Sequence, residues 1–229
     1  MTSTPHLAQT VDALLPLSFL EAVRDVDTPD ADSDAEYVAE LRNKRLGLSD
    51  TVYAQIRRYT DAVKQNLRAG QDEAVALARL LGRRPDAEAV FRAAGRFLAR
   101  ESYLTISPVR RRSMMLLPSL IARPIALRQA RRIAERYLNG TLKRVGSFLL
   151  LDVPRSVTIG SAPHSAGCAY YESSLRELLR LLIGNQGAVE HTRCSARGEG
   201  SCEWRAEWRP VDKPGGVSEE SAERPKARM

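Results

Sequence analysis

Three cysteines, Cys168, Cys194 and Cys202, lie in the last third of a 229-residue chain, and one histidine, His191, lies among them. Thiolate sulfur and imidazole nitrogen are the donors that Zn²⁺ prefers, and three of the first with one of the second make a closed tetrahedral set. Four protein ligands leave no place for an activated water, so the chemistry expected of such a site is structural rather than hydrolytic. A second reading of the same residues is open, because a free cysteine also behaves as a small buried hydrophobe. The fourth ligand is open too. In a regular strand His191 and Cys194, three apart, point to opposite faces, whereas Glu190 shares a face with Cys194. A β-bulge, or a strand that ends before Cys194, restores His191; otherwise Glu190 takes the fourth position. His6 and His164 read as surface or loop residues.

The elements that must position these side chains follow from periodicity. The run Ala169 to Ile183 has a helical period through Tyr171, Leu175, Leu178, Leu179 and Leu182, and Gly184 with Asn185 ends it. Cys168 therefore stands at a helix start, where amide donors and the dipole favour a thiolate. Tyr170 and Tyr171, next to it, are candidates for the wall of a ligand cavity, although core packing is the commoner use. Ala188 to Ala196 and Ser201 to Arg209 read as a hairpin joined by Arg197, Gly198, Glu199 and Gly200, which brings Cys194 opposite Cys202. Upstream, Gly146 to Val153 and Ser156 to Ile159 read as short strands.

The first 140 residues are helical in pattern. Ser33 and Glu36 have capping-box spacing for a helix to about Arg45, after an acidic linker from Val26 to Asp34. Ser49 or Asp50 caps a second helix with Val52, Ile56, Tyr59, Val63 and Leu67 on one face. Pro85 and Asp86 open a third, with Val90, Phe91, Ala94, Phe97 and Leu98 on its apolar side. A fourth runs from Ile125 to Leu138 after Pro124, and Asn139 with Gly140 stops it. The tail from Pro210 has almost no large apolar residue and reads as disordered.

Composition excludes several classes. With 43% hydrophobic and 28% charged residues and a net charge of +7, the chain is expected to fold around an ordinary core. The most apolar stretch, Ser113 to Leu127, is too short and too interrupted by Pro118, Arg123 and Pro124 to span a bilayer, and no basic region precedes the apolar segment Leu14 to Leu20 as in a secretory signal. A cytoplasmic, reducing location with free thiols is the expectation. GRFLAR and GEGSC lack the strand-to-helix context of a dinucleotide fingerprint, and Ser161, His164 and Ser165 share a loop without a persuasive catalytic spacing.

The run CAYYESSLRELLRLLIG followed by VEHTRCSARGEGSCEW resembles the C-terminal half of the 4-vinyl reductase domain, a small-molecule-binding module named after a bacteriochlorophyll biosynthesis protein. The resemblance rests on Cys168 before a helix, then His191, Cys194, Gly198, Cys202 and Trp204 in order, and it covers about Cys168 to Trp208. In the sensors of phenol- and xylene-responsive bacterial activators, three cysteines and a glutamate at such positions hold zinc beside the effector pocket. The resemblance therefore implies zinc on Cys168, His191, Cys194 and Cys202, with His191 standing where the family has glutamate. It also implies an α+β fold, a helical N-terminal half packed on a small twisted antiparallel sheet as in subunits of the TRAPP tethering complex. A homodimer and a hydrophobic or aromatic small-molecule ligand are implied as well.

On this reading residues 1–34 are an extension and linker, 35–84 a helical segment of unassigned role, 85–209 the ligand-binding domain and 210–229 a tail. The function expected is a sensor or carrier. The alternatives are an accessory role in tetrapyrrole synthesis and a dimeric scaffold without ligand; an enzyme is the lesser expectation. One feature stands apart: between Arg110 and Arg144 ten basic residues face the single acidic Glu135. This region could lie on an anionic membrane surface, although a solvated helix face is the commoner explanation. Nucleic acid is disfavoured, since no aromatic residues interleave with the arginines.

Overall fold

A computed structural model describes residues 9–28, 46–161, 163–184 and 187–208. The linker from residue 29, the helix expected from Ser33 to Arg45 and the tail from Pro210 lie outside them. The described chain is α+β. Seven α-helices accompany a four-stranded antiparallel sheet and a two-stranded one.

The chain runs β1 (Thr10–Asp12), α1 (Leu14–Asp27), α2 (Asp50–Lys64), β2 (Arg68–Gly70), α3 (Gln71–Leu81), α4 (Ala87–Leu104), α5 (Pro108–Leu116), α6 (Ser119–Tyr137), β3 (Thr141–Val145), β4 (Phe148–Val153), α7 (Ala169–Ile183), β5 (Val189–Arg193) and β6 (Cys202–Glu207). The main sheet has the order β3-β4-β6-β5, every neighbour antiparallel. β4 and β6 alternate: Leu149, Leu151 and Val153 of one, and Cys202, Trp204 and Ala206 of the other, face inward. α7 packs on the inner face of β5 and β6 and, on its other side, against α4. α4 in turn carries α1.

That stack of helices depends on close backbone approach. A Cβ on Gly95 of α4 would collide with the Tyr170 carbonyl and the Ser173 hydroxyl of α7, so only glycine fits there. Phe19 of α1 meets Phe91 of α4 and Tyr170 of α7 edge to face, with ring centroids 5.9 and 5.1 Å apart. The segment Leu14–Asp27, assigned above to an N-terminal extension, is thus a buried helix of the core. Its last residue, Asp27, accepts two hydrogen bonds from Arg84 at 2.7 and 2.9 Å and one from the Gly47 amide at 2.8 Å. This charge is buried but paired, as a buried carboxylate must be.

Several expectations hold. Ser49 caps α2, accepting from the Val52 amide at 3.3 Å, and α7 spans Ala169 to Ile183, with Gly184 left-handed at φ 67°. Others are corrected. The helix placed after Pro124 begins at Ser119 and contains the proline; the carbonyl deprived of its donor belongs to Leu120, in the exposed first turn. Ser156 to Ile159 is a turn rather than a strand. Its β-branched residues are spent locally: the Thr158 hydroxyl donates to the Gly167 carbonyl at 2.7 Å, and the Val157 amide donates to the Tyr171 phenol oxygen at 3.2 Å. Strands β1, β2 and β3 and helices α3 and α5 stand where the sequence reading places no element.

Candidate metal centre

The four expected residues come together. Cys168, His191, Cys194 and Cys202 each present a donor atom, and these atoms lie within 4.8 Å of one another. Cys168 is supplied by the N-terminus of α7, His191 by β5, Cys194 by the residue after β5, and Cys202 by the first residue of β6. All three thiols are free and buried.

The parity problem of His191 and Cys194 is solved by the backbone. β5 pairs His191 with Trp204 and Arg193 with Glu203, leaving Thr192 as an extra residue, and the regular strand stops at Arg193. The bulge turns Cys194 to the inner face, beside His191. Glu190, the other candidate for the fourth position, points outward and pairs with Arg205 at 2.6 Å. It stands outside the cluster.

Geometry tests whether the donors suit a metal. Cys168 Sγ and Cys194 Sγ are 3.9 Å apart; bonds of ~2.3 Å to a tetrahedral zinc place two sulfurs about 3.8 Å apart, whereas a disulfide needs ~2.05 Å. The imidazole Nε2 of His191 is buried and has no hydrogen-bond partner, an uncompensated cost that a metal at the centre of the cluster removes. The ring is fixed by stacking on Trp204, centroids 4.7 Å apart and planes 10° from parallel, and Trp204 stacks in turn on Tyr171 at 5.0 Å.

The turn after Cys194 is built around the sulfurs. Ser195 to Arg197 form one 3₁₀ turn, closed by left-handed Gly198 at φ 84°. From it the Ser195 amide and hydroxyl reach Cys202 Sγ at 3.4 and 3.0 Å. Glu199 folds back to accept from the Cys194 amide, and this hydrogen bond, with Arg197 nearby, holds its carboxyl below the usual range. Ser195 and Glu199 were not singled out from sequence; only their places beside Cys194 and Gly198 signal them.

Cys168 is the N-cap residue of α7, but its side chain makes no cap hydrogen bond, and its thiol is pushed upward, first because it donates to Cys202 and then because it is buried. The bond from Cys168 pushes the Cys202 thiol downward against the cost of its burial, with the donors of Ser195 assisting.

Tyr170 and Tyr171 are fully buried core residues, with Tyr170 OH 3.4 Å from the Ser18 hydroxyl. Ser161 donates to the Thr158 carbonyl and closes a buried turn. No helix among the described residues is long and apolar enough to cross a membrane. Comparison of the chain with protein-family models, curated proteins and solved structures finds no match. The donor cluster itself is therefore the strongest pointer to function.

Proposed function

We propose that the chain is a zinc-stabilised small-molecule-binding module of the 4-vinyl reductase type, serving as a sensor or carrier. The observation that carries this reading is the cluster of Cys168, His191, Cys194 and Cys202, its donor atoms within 4.8 Å of one another, with the Cys168 and Cys194 sulfurs 3.9 Å apart and the His191 Nε2 buried without a hydrogen-bond partner. The order of the ligands along the chain, with Gly198 and Trp204 between and after them, supports the family reading. Bound zinc would join the start of α7 to the β5–β6 hairpin and contribute on the order of 10 kcal/mol of apparent folding energy. A closed ligand set assigns the metal to architecture, and an apolar ligand would be gripped by helices and sheet that the metal holds in register.

Metal analysis of the purified full chain tests this. About one zinc per chain is expected, lost in Cys194→Ser and in His191→Ala but retained in Glu190→Gln. A folded native protein without metal, or metal lost with Glu190 and kept without His191, overturns the ligand set.

A second reading has its own observation. Beside the cluster, Tyr171 and Trp204 are fully buried and stack on each other between α7 and the sheet, as suits a metal-stapled scaffold that holds no ligand. A chromophore or lipid-like molecule in the native protein, detected by absorbance and by mass spectrometry of a solvent extract, favours the sensor or carrier over the scaffold.

A further inference from the structure

The corner between α5 and α6 presents an unusual surface. Val109 is 75% exposed, Leu116 74%, Leu120 84% and Ile121 53%, whereas most large aliphatic residues among the described ones are buried. Helical spacing places Val109, Arg112 and Leu116 on one face of α5, and Leu120, Arg123 and Leu127 on one face of α6. Exposed aliphatic residues in one place mark a contact surface.

The arginines around it differ from those elsewhere. Arg84, Arg92, Arg100, Arg136, Arg176 and Arg180 each pair with a carboxylate. Arg110, Arg112, Arg123, Arg128 and Arg132 pair with none among the described residues. Residues 102–134 contain seven arginines and no aspartate or glutamate. A solvated helix face of ordinary composition mixes both signs. Next to the corner, Arg110, Arg128, Arg132, Ser113 and Gln129 line a cavity of about 330 Å³, which offers several donors at once to a phosphate group.

We propose that this corner is a docking surface for an anionic lipid bilayer, with Leu116, Leu120 and Ile121 entering the interfacial layer and Arg110, Arg112, Arg123 and Arg128 meeting lipid phosphates. Charge decides among occupants. A second copy docking through the same patch would set arginines against arginines, because a two-fold interface must be complementary to itself. Nucleic acid would leave the aliphatic tip facing phosphate and water. An anionic bilayer satisfies both parts of the surface, the apolar one by burial and the basic one by surface potential.

Flotation of the full chain with vesicles of phosphatidylcholine alone, or with phosphatidylserine added, provides the test. Binding is expected only to the anionic vesicles, and it should weaken as salt shortens the Debye length. Arg112→Gln, Arg123→Gln and Arg128→Gln combined should reduce partitioning on the order of 100-fold. Leu116→Ser with Leu120→Ser should also reduce it, and because these side chains are exposed, circular dichroism should be unchanged. Equal flotation with neutral vesicles, or no loss in either variant, overturns the proposal. So does a native dimer that the leucine variant converts to monomer in light scattering, since the patch would then belong to a second copy.

Discussion

A sulfur placed to bind a metal is tuned by whatever else shares its negative charge, and Cys202 would share it with Ser195. The amide and hydroxyl of that serine lie 3.4 and 3.0 Å from Cys202 Sγ, from a turn that also carries Cys194. Ser195→Ala removes the hydroxyl donor and leaves all four ligands in place. Zinc affinity should fall about 10–100-fold, the usual cost of losing an outer partner, while saturating metal still gives the native stoichiometry. Competition with a chromophoric chelator reads this directly, and an unchanged affinity would mean that the amide alone orients the sulfur. At this scale the sequence was informative where chemistry is carried by residue type: three cysteines and a histidine are scarce and select one another. It was ambiguous where position decides. Glu190 and His191 are adjacent, both can bind zinc, and only the extra Thr192 in β5, which no composition rule announces, turns His191 and Cys194 to the same side.

Elements were legible when one face had to be apolar and a terminus had its own signal. α7 combines the heptad-like run from Tyr171 to Leu182 with left-handed Gly184, and its bounds match the expectation. The turn at Ser156 to Ile159 looked like a strand because β-branched residues favour both pleats and hydroxyl-bonded turns, and only contact with Gly167 and Tyr171 distinguishes them. β3 buries only Leu142 of its five residues, so alternation never shows. α7 is also tied to α4 by charge: Glu177 accepts from Arg180 at 2.8 and 2.9 Å and from Arg100 of α4 at 2.9 Å. The Arg180 bond foremost, with Arg100 assisting against burial, holds its carboxyl at about 2. An acid depressed in the folded state stabilises at pH above its unfolded value, near 4.5, and loses that contribution as pH falls toward 2. Glu177→Gln should therefore lower stability at neutral pH and flatten its decline between these values. Denaturant midpoints measured across that range check it; parallel curves for the two proteins would remove Glu177 from the account.

Whole-molecule behaviour follows from a core that runs without a break from Val11 through the helices to Trp208, with Cys168, Cys194 and Cys202 among its members. A metal site at the margin of a separate lobe could melt by itself; one whose ligands are core residues cannot be released without exposing that core. The chain supplies its own reporters. Its two tryptophans, Trp204 and Trp208, are both buried, and Trp204 stacks on His191, so the fluorescence of a Trp208→Phe variant reads the metal end, whereas far-ultraviolet circular dichroism reads the helices. With zinc bound, both signals should change in one cooperative transition at the same temperature. A strong chelator should move the two together to lower temperature, because ligand removal withdraws stabilisation from the native state as a whole. If fluorescence changes first while helicity persists, the hairpin and its metal unfold locally, and the cluster stabilises only its own turn. Coincident transitions would instead make the four donors a fastening for the entire fold, which is the arrangement expected of a module whose helices must stay in fixed register against the sheet.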